Sequence, residues 1–297
     1  MVTNQARDAD VFVKQQLDNM ISELGGHLKS DVLSFNGPIV FPVDEVVRDL
    51  IEALKQSSTK QKLAVVLTTD GGYIEVAHRI VDTLRHHYRT VDFFVPNYAY
   101  SAGTILVMSG DSIWMNYFSR LGPIDPQVKA QTGRQVSALG YLNHYDQLME
   151  KALDGKIQPI EATQLLGFDL ADIAEIRHAR ELSVELLKRW LVKYKFKNWK
   201  VTASRGLRVT KKMREDRAEQ IARVLNSTDR WHSHSYGISK EELYRELNLQ
   251  IDDFDSDPRL ATCLSTYHGL LVDYMLKNGD VGVLHAAGQY VPFHVHG

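Results

Sequence analysis

Apolar positions recur every three or four residues in the first stretch of the chain. Val11, Val13, Leu17, Met20, Ile21 and Leu24 stand at roughly helical spacing, and the pair Gly25-Gly26 follows. That spacing predicts an amphipathic helix over residues 8–25 that stops at the glycines. DVLSFNGPIVF predicts a strand and a loop, and PVDEVVRDLIEALKQ returns to helical spacing through Val46, Val47, Leu50, Ile51 and Leu54. LAVVLTTDGG is a continuous apolar run halted by a turn; IEVAHRIVDTLRHH is helical, TVDFFVPN a strand, SAGTILVMSG a short helix and SIWMN another strand. Strands alternating with helices imply an α/β protein whose mainly parallel sheet is covered on both faces.

After LGPIDPQV the texture changes to long helical stretches over residues 136–197, rich in Leu, Glu, Lys and Arg, which predict an arm or an interface. Within it, Trp190, Leu191, Tyr194 and Phe196 have the spacing of a packing face rather than of a nucleic-acid stripe. KNWKVTASRGLRVTKK is polar and basic and predicts a mobile loop. KKMREDRAEQIARVLN returns to helix, and Ser239 with Glu242 three residues later has the pattern of a capping box.

Lys and Arg number 35 against 37 Asp and Glu, so the net charge of -2 gives no field for holding a polyanion, and nucleic acid is not an expected partner. The single cysteine, Cys263, has no second cysteine for a disulfide and reads as a small buried apolar residue in a reducing, cytoplasmic setting. The N-terminal segment lacks a basic stretch with an apolar core, and no run of about 18 apolar residues is present, so no membrane partner is expected. No GxxxxGK[ST] loop occurs, so unfolding of large substrates would need a separate regulator or unfoldase. No cofactor or metal is expected: His86-His87 reads as a polar helix face, and His285, His294 and His296 as a solvent-facing end with no acidic partner.

Two turns carry the candidate chemistry. Asp70-Gly71-Gly72 ends one apolar strand and opens a helix, a setting in which backbone N–H groups can face a pocket without a Cβ in the way. About thirty residues later the next strand ends in AYSAG, which puts Ser101 at the start of a second helix. If the strands are parallel neighbours, both turns reach one edge of the sheet. Ser101 then has two readings, an N-cap or an exposed nucleophile with the N–H groups of Gly72 and Ala102 beside it.

DGGYIEVA, YSAGTILVMSGDSIWM and SRLGPIDPQV resemble the core of the Clp-fold serine peptidases, which include ClpP and signal peptide peptidase A. The likeness is greatest to the serine dehydrogenase proteinase family and covers residues 31–255. It implies a ClpP/crotonase-type spiral of βαβ units with a helical arm at about 136–197, preceded by a helix over 1–30 and followed by an extension over 256–297. It further implies a serine endopeptidase that cleaves peptide or protein substrates through an acyl-enzyme and assembles as a homo-oligomer. Carried over residue by residue, Ser101 is the nucleophile, with Gly72 and Ala102 as the oxyanion hole. Asp125 of GPIDPQ is the acid, and His234 of DRWHSHSYGISKEEL is the base, with His232 as its neighbour and Gly237 where the family has proline. The order Ser, Asp, His differs from that of ClpP, whose histidine position is occupied here by the GPIDPQ stretch. A serine needs an imidazole to take its proton, and the imidazole needs an acid to fix its tautomer. Signal peptide peptidase A uses a Ser/Lys dyad instead, for which Lys129, ahead of Lys151 and Lys156, is the candidate. Outside peptidases, the alternatives are a crotonase-like acyl-CoA enzyme and a non-catalytic scaffold.

Overall fold

The computed structural model describes residues 8–124, 127–129, 135–202, 205–231, 233, 236–286 and 288–294. The chain runs α1 (Asp8–Leu28), β1 (Asp31–Asn36), α2 (Val43–Ser57), β2 (Lys62–Thr68), α3 (Ile74–His87), β3 (Thr90–Val95), β4 (Tyr98–Ala99), α4 (Ala102–Val107), β5 (Ser112–Met115) and β6 (Arg120–Leu121). It continues through β7 (Gln127–Lys129), β8 (Gln135–Ser137), α5 (Ala138–Leu153), α6 (Pro159–Leu166), α7 (Leu170–Trp190) and a π-helical turn (Leu191–Lys195). Then follow α8 (Lys211–Leu225), α9 (Thr228–Trp231), α10 (Lys240–Leu247), β9 (Asp252–Asp253), α11 (Pro258–Asn278), β10 (Gly282–Ala286) and β11 (Gln289–Phe293).

Seven strands form the central sheet in the order β11-β10-β1-β2-β3-β5-β9. β1, β2, β3, β5 and β9 are parallel, β10 runs antiparallel beside β1, and β11 pairs antiparallel with β10 at the edge. β2, at the centre of the sheet, is apolar on both faces because both are covered. On β2, Leu63, Val65 and Leu67 enter the larger core with α2, α3, α4 and α8, whereas Ala64 and Val66 enter a second core with α1 and α11. The α/β fold expected from the sequence is therefore present, and the helical stretch forms α5, α6 and α7 with a small core of its own from Ala138, Leu139, Leu142, Ile173 and Ile176.

The foot of this arm is tied to the sheet. Arg85 of α3 bonds Asp111 at 2.7 Å, and Asp111 also takes the Val91 N–H at 2.8 Å and the Lys197 ammonium. Burial pushes the Asp111 carboxyl up, but the hydrogen bonds from Lys197, Val91 and Arg85 outweigh it and hold the group below the usual carboxylate range. Trp190, Leu191 and Phe196 are buried in the larger core, as their spacing predicts.

Several expectations are corrected. α1 does not stop at Gly25-Gly26 but continues to Leu28. A Cβ on Gly25 would lie 3.1 Å from the Ser30 carbonyl oxygen and 3.3 Å from Val32, so this glycine serves close packing of the helix on β1. His285 is not part of a solvent-facing end: it is buried, with Tyr267 at 2.8 Å from Nδ1 and the acidic partner Asp18 at 3.0 Å from Nε2. Burial lowers its pKa while Asp18 pulls the other way. Cys263 is half-buried rather than buried, with its thiol raised first by that burial. The stretch from 197 to 212 is a loop before α8, as expected; Val201 bridges Arg208 at its base and Val209 is buried, and residues 203–204 lie outside those described.

Candidate active site

β3 and β4 deliver Ser101 to the C-terminal edge of the sheet, where it takes φ 52° and ψ -121° just before the first residue of α4. This backbone region is costly for an L-residue, about 1–3 kcal/mol, and persists only where the surroundings over-determine it. The Ser101 side chain makes no capping hydrogen bond. The N-cap reading is therefore set aside, and a strained strand-to-helix turn presents a hydroxyl with no hydrogen-bond partner among the described residues.

The surroundings that hold the turn are visible. Gly71 lies so close that a Cβ there would stand 2.7 Å from the Tyr100 carbonyl oxygen and 2.8 Å from the Ser101 Cβ. A Cβ on Gly103 would meet the Thr69 methyl at 2.3 Å. Thr69 is itself buried, and its hydroxyl accepts the Gly71 N–H at 3.0 Å. Thr104, fully buried, reaches the Ala99 and Gly122 carbonyls, each at 2.8 Å.

The glycine turn faces this elbow. Gly71 and Gly72 have φ of +102° and +144°, and Gly72 bridges Ile39 in parallel. Ile39 makes both hydrogen bonds of that bridge, from its N–H to the Gly71 carbonyl and from the Tyr73 N–H to its own carbonyl, each 2.8 Å. The Gly72 N–H consequently faces away from Ile39. A Cβ on Gly72 would stand 2.1 Å from the Ile39 carbonyl oxygen, so only glycine fits. Neither the Gly72 N–H nor that of Ala102, the first of a helix, has an acceptor among the described residues. Two open donors beside a hydroxyl suit an oxygen that gains negative charge.

A small second sheet gathers the remaining segments. β4 and β6 pair in parallel, Ala99 opposite Leu121. Leu121 pairs antiparallel with Ile238 through hydrogen bonds of 3.0 and 2.7 Å. β4 and β6 thus lead in one direction, to Ser101 and to Ile124, whereas the chain before Ile238 arrives from that same end. Asp125, His234 and the alternative His232 lie outside the described residues. Lys129 falls on β7, its side chain likewise outside. Lys151 and Lys156 are engaged by Glu161 and Asp154 on the arm.

Aromatic rings adjoin both turns. Tyr98 and Tyr100 stack at 5.0 Å, and burial, followed by the Asp70 charge, raises the Tyr98 phenol above its ordinary value. Phe41 and Tyr73, both exposed, lie 5.7 Å apart beside Gly72. A cleft of about 570 Å³ between α7 and α8 is lined by Arg177, Arg180, Glu181, Glu219 and Asn226 and has balanced charges. It contains none of the Ser101 turn.

A strand-to-helix serine elbow beside a two-glycine turn, at the carboxyl edge of a parallel sheet, agrees with a Clp-type α/β fold. The chain belongs to the ClpP-like SDH-type serine proteinase family, whose model matches residues 33–207. It is 25% identical to the uncharacterized protein MJ0137 of Methanocaldococcus jannaschii over 229 residues, 76% of this chain and 66% of that protein. It is also 25% identical to the uncharacterized protein MJ1495 of the same organism, over 75% of this chain and 65% of that one. The chain thus spans just under two thirds of the length of these relatives. Among solved structures it is similar to a serine-to-alanine mutant of the 1510-N membrane-bound stomatin-specific protease, with TM-score 0.33 and 21% identity over 38% of this chain and 57% of that one. A lysine-to-alanine mutant of that protease with a substrate peptide gives TM-score 0.33 and 23% identity, over 38% of this chain and 54% of that one. Among the described residues no helix is long and apolar enough to cross a membrane.

Proposed function

We propose that this chain is a serine endopeptidase that hydrolyses peptide bonds through an acyl-enzyme on Ser101. The observation that carries the proposal is the Ser101 turn, at φ 52° with no capping bond, set against Gly71. In the first step Ser101 Oγ attacks the scissile carbonyl while His234 takes the hydroxyl proton, and the carbonyl oxygen gains its charge beside the Gly72 and Ala102 N–H groups. Collapse of the tetrahedral species expels the amine, which takes the proton from His234. Water then repeats the sequence in reverse, with His234 as base, and releases the acid. Asp125 holds the imidazole tautomer and stabilises its cation. The pairing of Leu121 with both Ala99 and Ile238 supports this set, because it directs the segments next to Ser101, Asp125 and His234 toward one end of the small sheet.

The substrates are peptides or proteins, and large ones need a separate unfoldase. Assembly as a homo-oligomer through the arm is part of the same reading; Leu153, Leu166 and Leu170 on it are well exposed. The test is fluorophosphonate labelling with intact-mass readout on the wild type and on Ser101→Ala, Asp125→Asn, His234→Ala and Lys129→Ala. Labelling confined to Ser101, lost in His234→Ala and kept in Lys129→Ala, is expected. Loss in Lys129→Ala alone would replace the triad with a Ser/Lys dyad. No labelling of the folded wild type would favour an acyl-CoA enzyme or a scaffold.

A further inference from the structure

The Ser101 turn is held from behind by one hydroxyl. Thr104 is fully buried on the first turn of α4, and its Oγ1 lies 2.8 Å from the Ala99 carbonyl oxygen and 2.8 Å from that of Gly122. It also accepts the Gly122 N–H at 3.0 Å, a donor shared with the Ala99 carbonyl at 3.2 Å. A threonine hydroxyl has one proton and two lone pairs, so it donates to one of the two carbonyls and accepts from Gly122. Ala99 is the last residue of β4, two before Ser101, and Gly122 is the first after β6, two before Ile124. One side chain thus fastens the nucleophile's turn to the strap that continues to Asp125.

The packing at this junction leaves no slack. A Cβ on Gly122 would stand 2.7 Å from the Tyr100 ring and 3.1 Å from the Tyr100 Cα. The strap and the serine turn are in direct contact, and the only side-chain hydroxyl bonded to both backbones is that of Thr104, among the described residues.

We infer that Thr104 is a positioning residue for the peptidase reaction, setting the distance between the Ser101 turn and the acid-bearing strap. The inference rests on the reading of Ser101 as nucleophile and Asp125 as acid. Thr104→Val keeps the shape and the methyl but removes the donor, leaving the strap tied by backbone alone. A displacement of the order of an ångström in such a constellation costs about 100-fold in rate, so a 10- to 100-fold loss is expected.

The experiment measures the fluorophosphonate labelling rate at Ser101 against pH, with kcat and KM on a peptide substrate, for the wild type and for Thr104→Val, Thr104→Ser and Thr104→Ala. Thr104→Val and Thr104→Ala are expected to lower kcat and the labelling rate with KM unchanged, and to move the base's apparent pKa downward, because an imidazole less well supported by its acid is easier to deprotonate. Thr104→Ser, which restores the hydroxyl, is expected to recover rate and pKa to within about threefold. If Thr104→Val does not fold, the pair Thr104→Ser and Thr104→Ala decides alone. Wild-type rate and pKa in a folded variant without the hydroxyl, or a serine variant as slow as the alanine one, would overturn the inference. A wild type unlabelled at Ser101 overturns the peptidase reading and this inference together, whereas a labelled wild type with indifferent Thr104 variants removes the inference alone.

Discussion

Ser101 and Ser239 each stand one residue before a helix. At Ser239 the backbone is extended, φ -76° and ψ 164°, and the hydroxyl accepts the Glu242 N–H while the Glu242 carboxylate reaches back to the Ser239 N–H. At Ser101 φ is positive, 52° with ψ -121°, and the hydroxyl has no hydrogen-bond partner among the described residues. The first arrangement satisfies helix-end donors and stabilises the fold. The second leaves donors open and carries strain, which surrounding contacts must offset. Residue type and helix position do not distinguish the two serines; backbone geometry does.

The comparison is sharpened most by removing the Ser101 hydroxyl. Ser101→Ala is expected to lower peptide hydrolysis by about 10⁴-fold or more, and Ser239→Ala to leave kcat/KM within about twofold once the protein is folded. Comparable losses in the two variants would erase the distinction. Next in size is Gly72→Ala, which drives a Cβ into the Ile39 carbonyl and forces a positive φ on alanine. A destabilisation of about 2–3 kcal/mol is expected, read from the urea midpoint at unchanged slope; an unshifted midpoint would mean the turn relaxes freely.

Stability should respond with opposite sign at the two serines. Ser101→Gly relieves the positive-φ backbone and is expected to stabilise the fold by about 1 kcal/mol. Ser239→Ala removes the cap and is expected to cost about 1 kcal/mol. Calorimetric melts of both variants check this, and shifts of the same direction would refute the assignment of strain to one site only.

A further effect concerns pH. His268 bonds Thr68 at the end of β2 at 3.0 Å, and burial lowers its pKa to about 4. Its unfolded value is about 6.5. Between these the unfolded chain takes up the proton and the folded one does not, so stability falls as pH drops from about 6.5 toward 4 and is unaffected by this group above that window. His268→Gln should flatten the melting temperature between pH 7 and 5; a wild-type slope in the variant would point to other groups. The acid response should then act on the strand leading to the Gly71-Gly72 turn rather than on the helix after Ser239.

The central βαβ succession was legible because its period is strong and local: the helical spacing of IEVAHRIVDTLRHH coincides with α3 from Ile74 to His87. The capping box at Ser239 was legible for the same reason. Gly72, Ala102 and Ser101 were marked by the two turns, and the structure brings those turns together. What could not be read was tertiary. Asp18 and His285 are 267 residues apart, so nothing near either announces the other. Thr69 and Thr104 act through backbone carbonyls and N–H groups, which carry no sequence signal. The apolar run GVLHA has no period that would reveal its place beside β1.

That place has a consequence for biosynthesis. β1 lies between β2 and β10, with Leu33 opposite Val65 on one side and Ala286 on the other. Translation at about 5–20 residues per second separates the emergence of these two neighbours by roughly ten to fifty seconds. Over that interval the nascent chain offers β1 as an open edge, the kind of surface that invites pairing with other chains. Ile238, which completes the small sheet beside Leu121, is also a late arrival. The Ser101 edge is therefore finished only when most of the polypeptide has left the ribosome, and chaperone protection is needed most during the wait for β10.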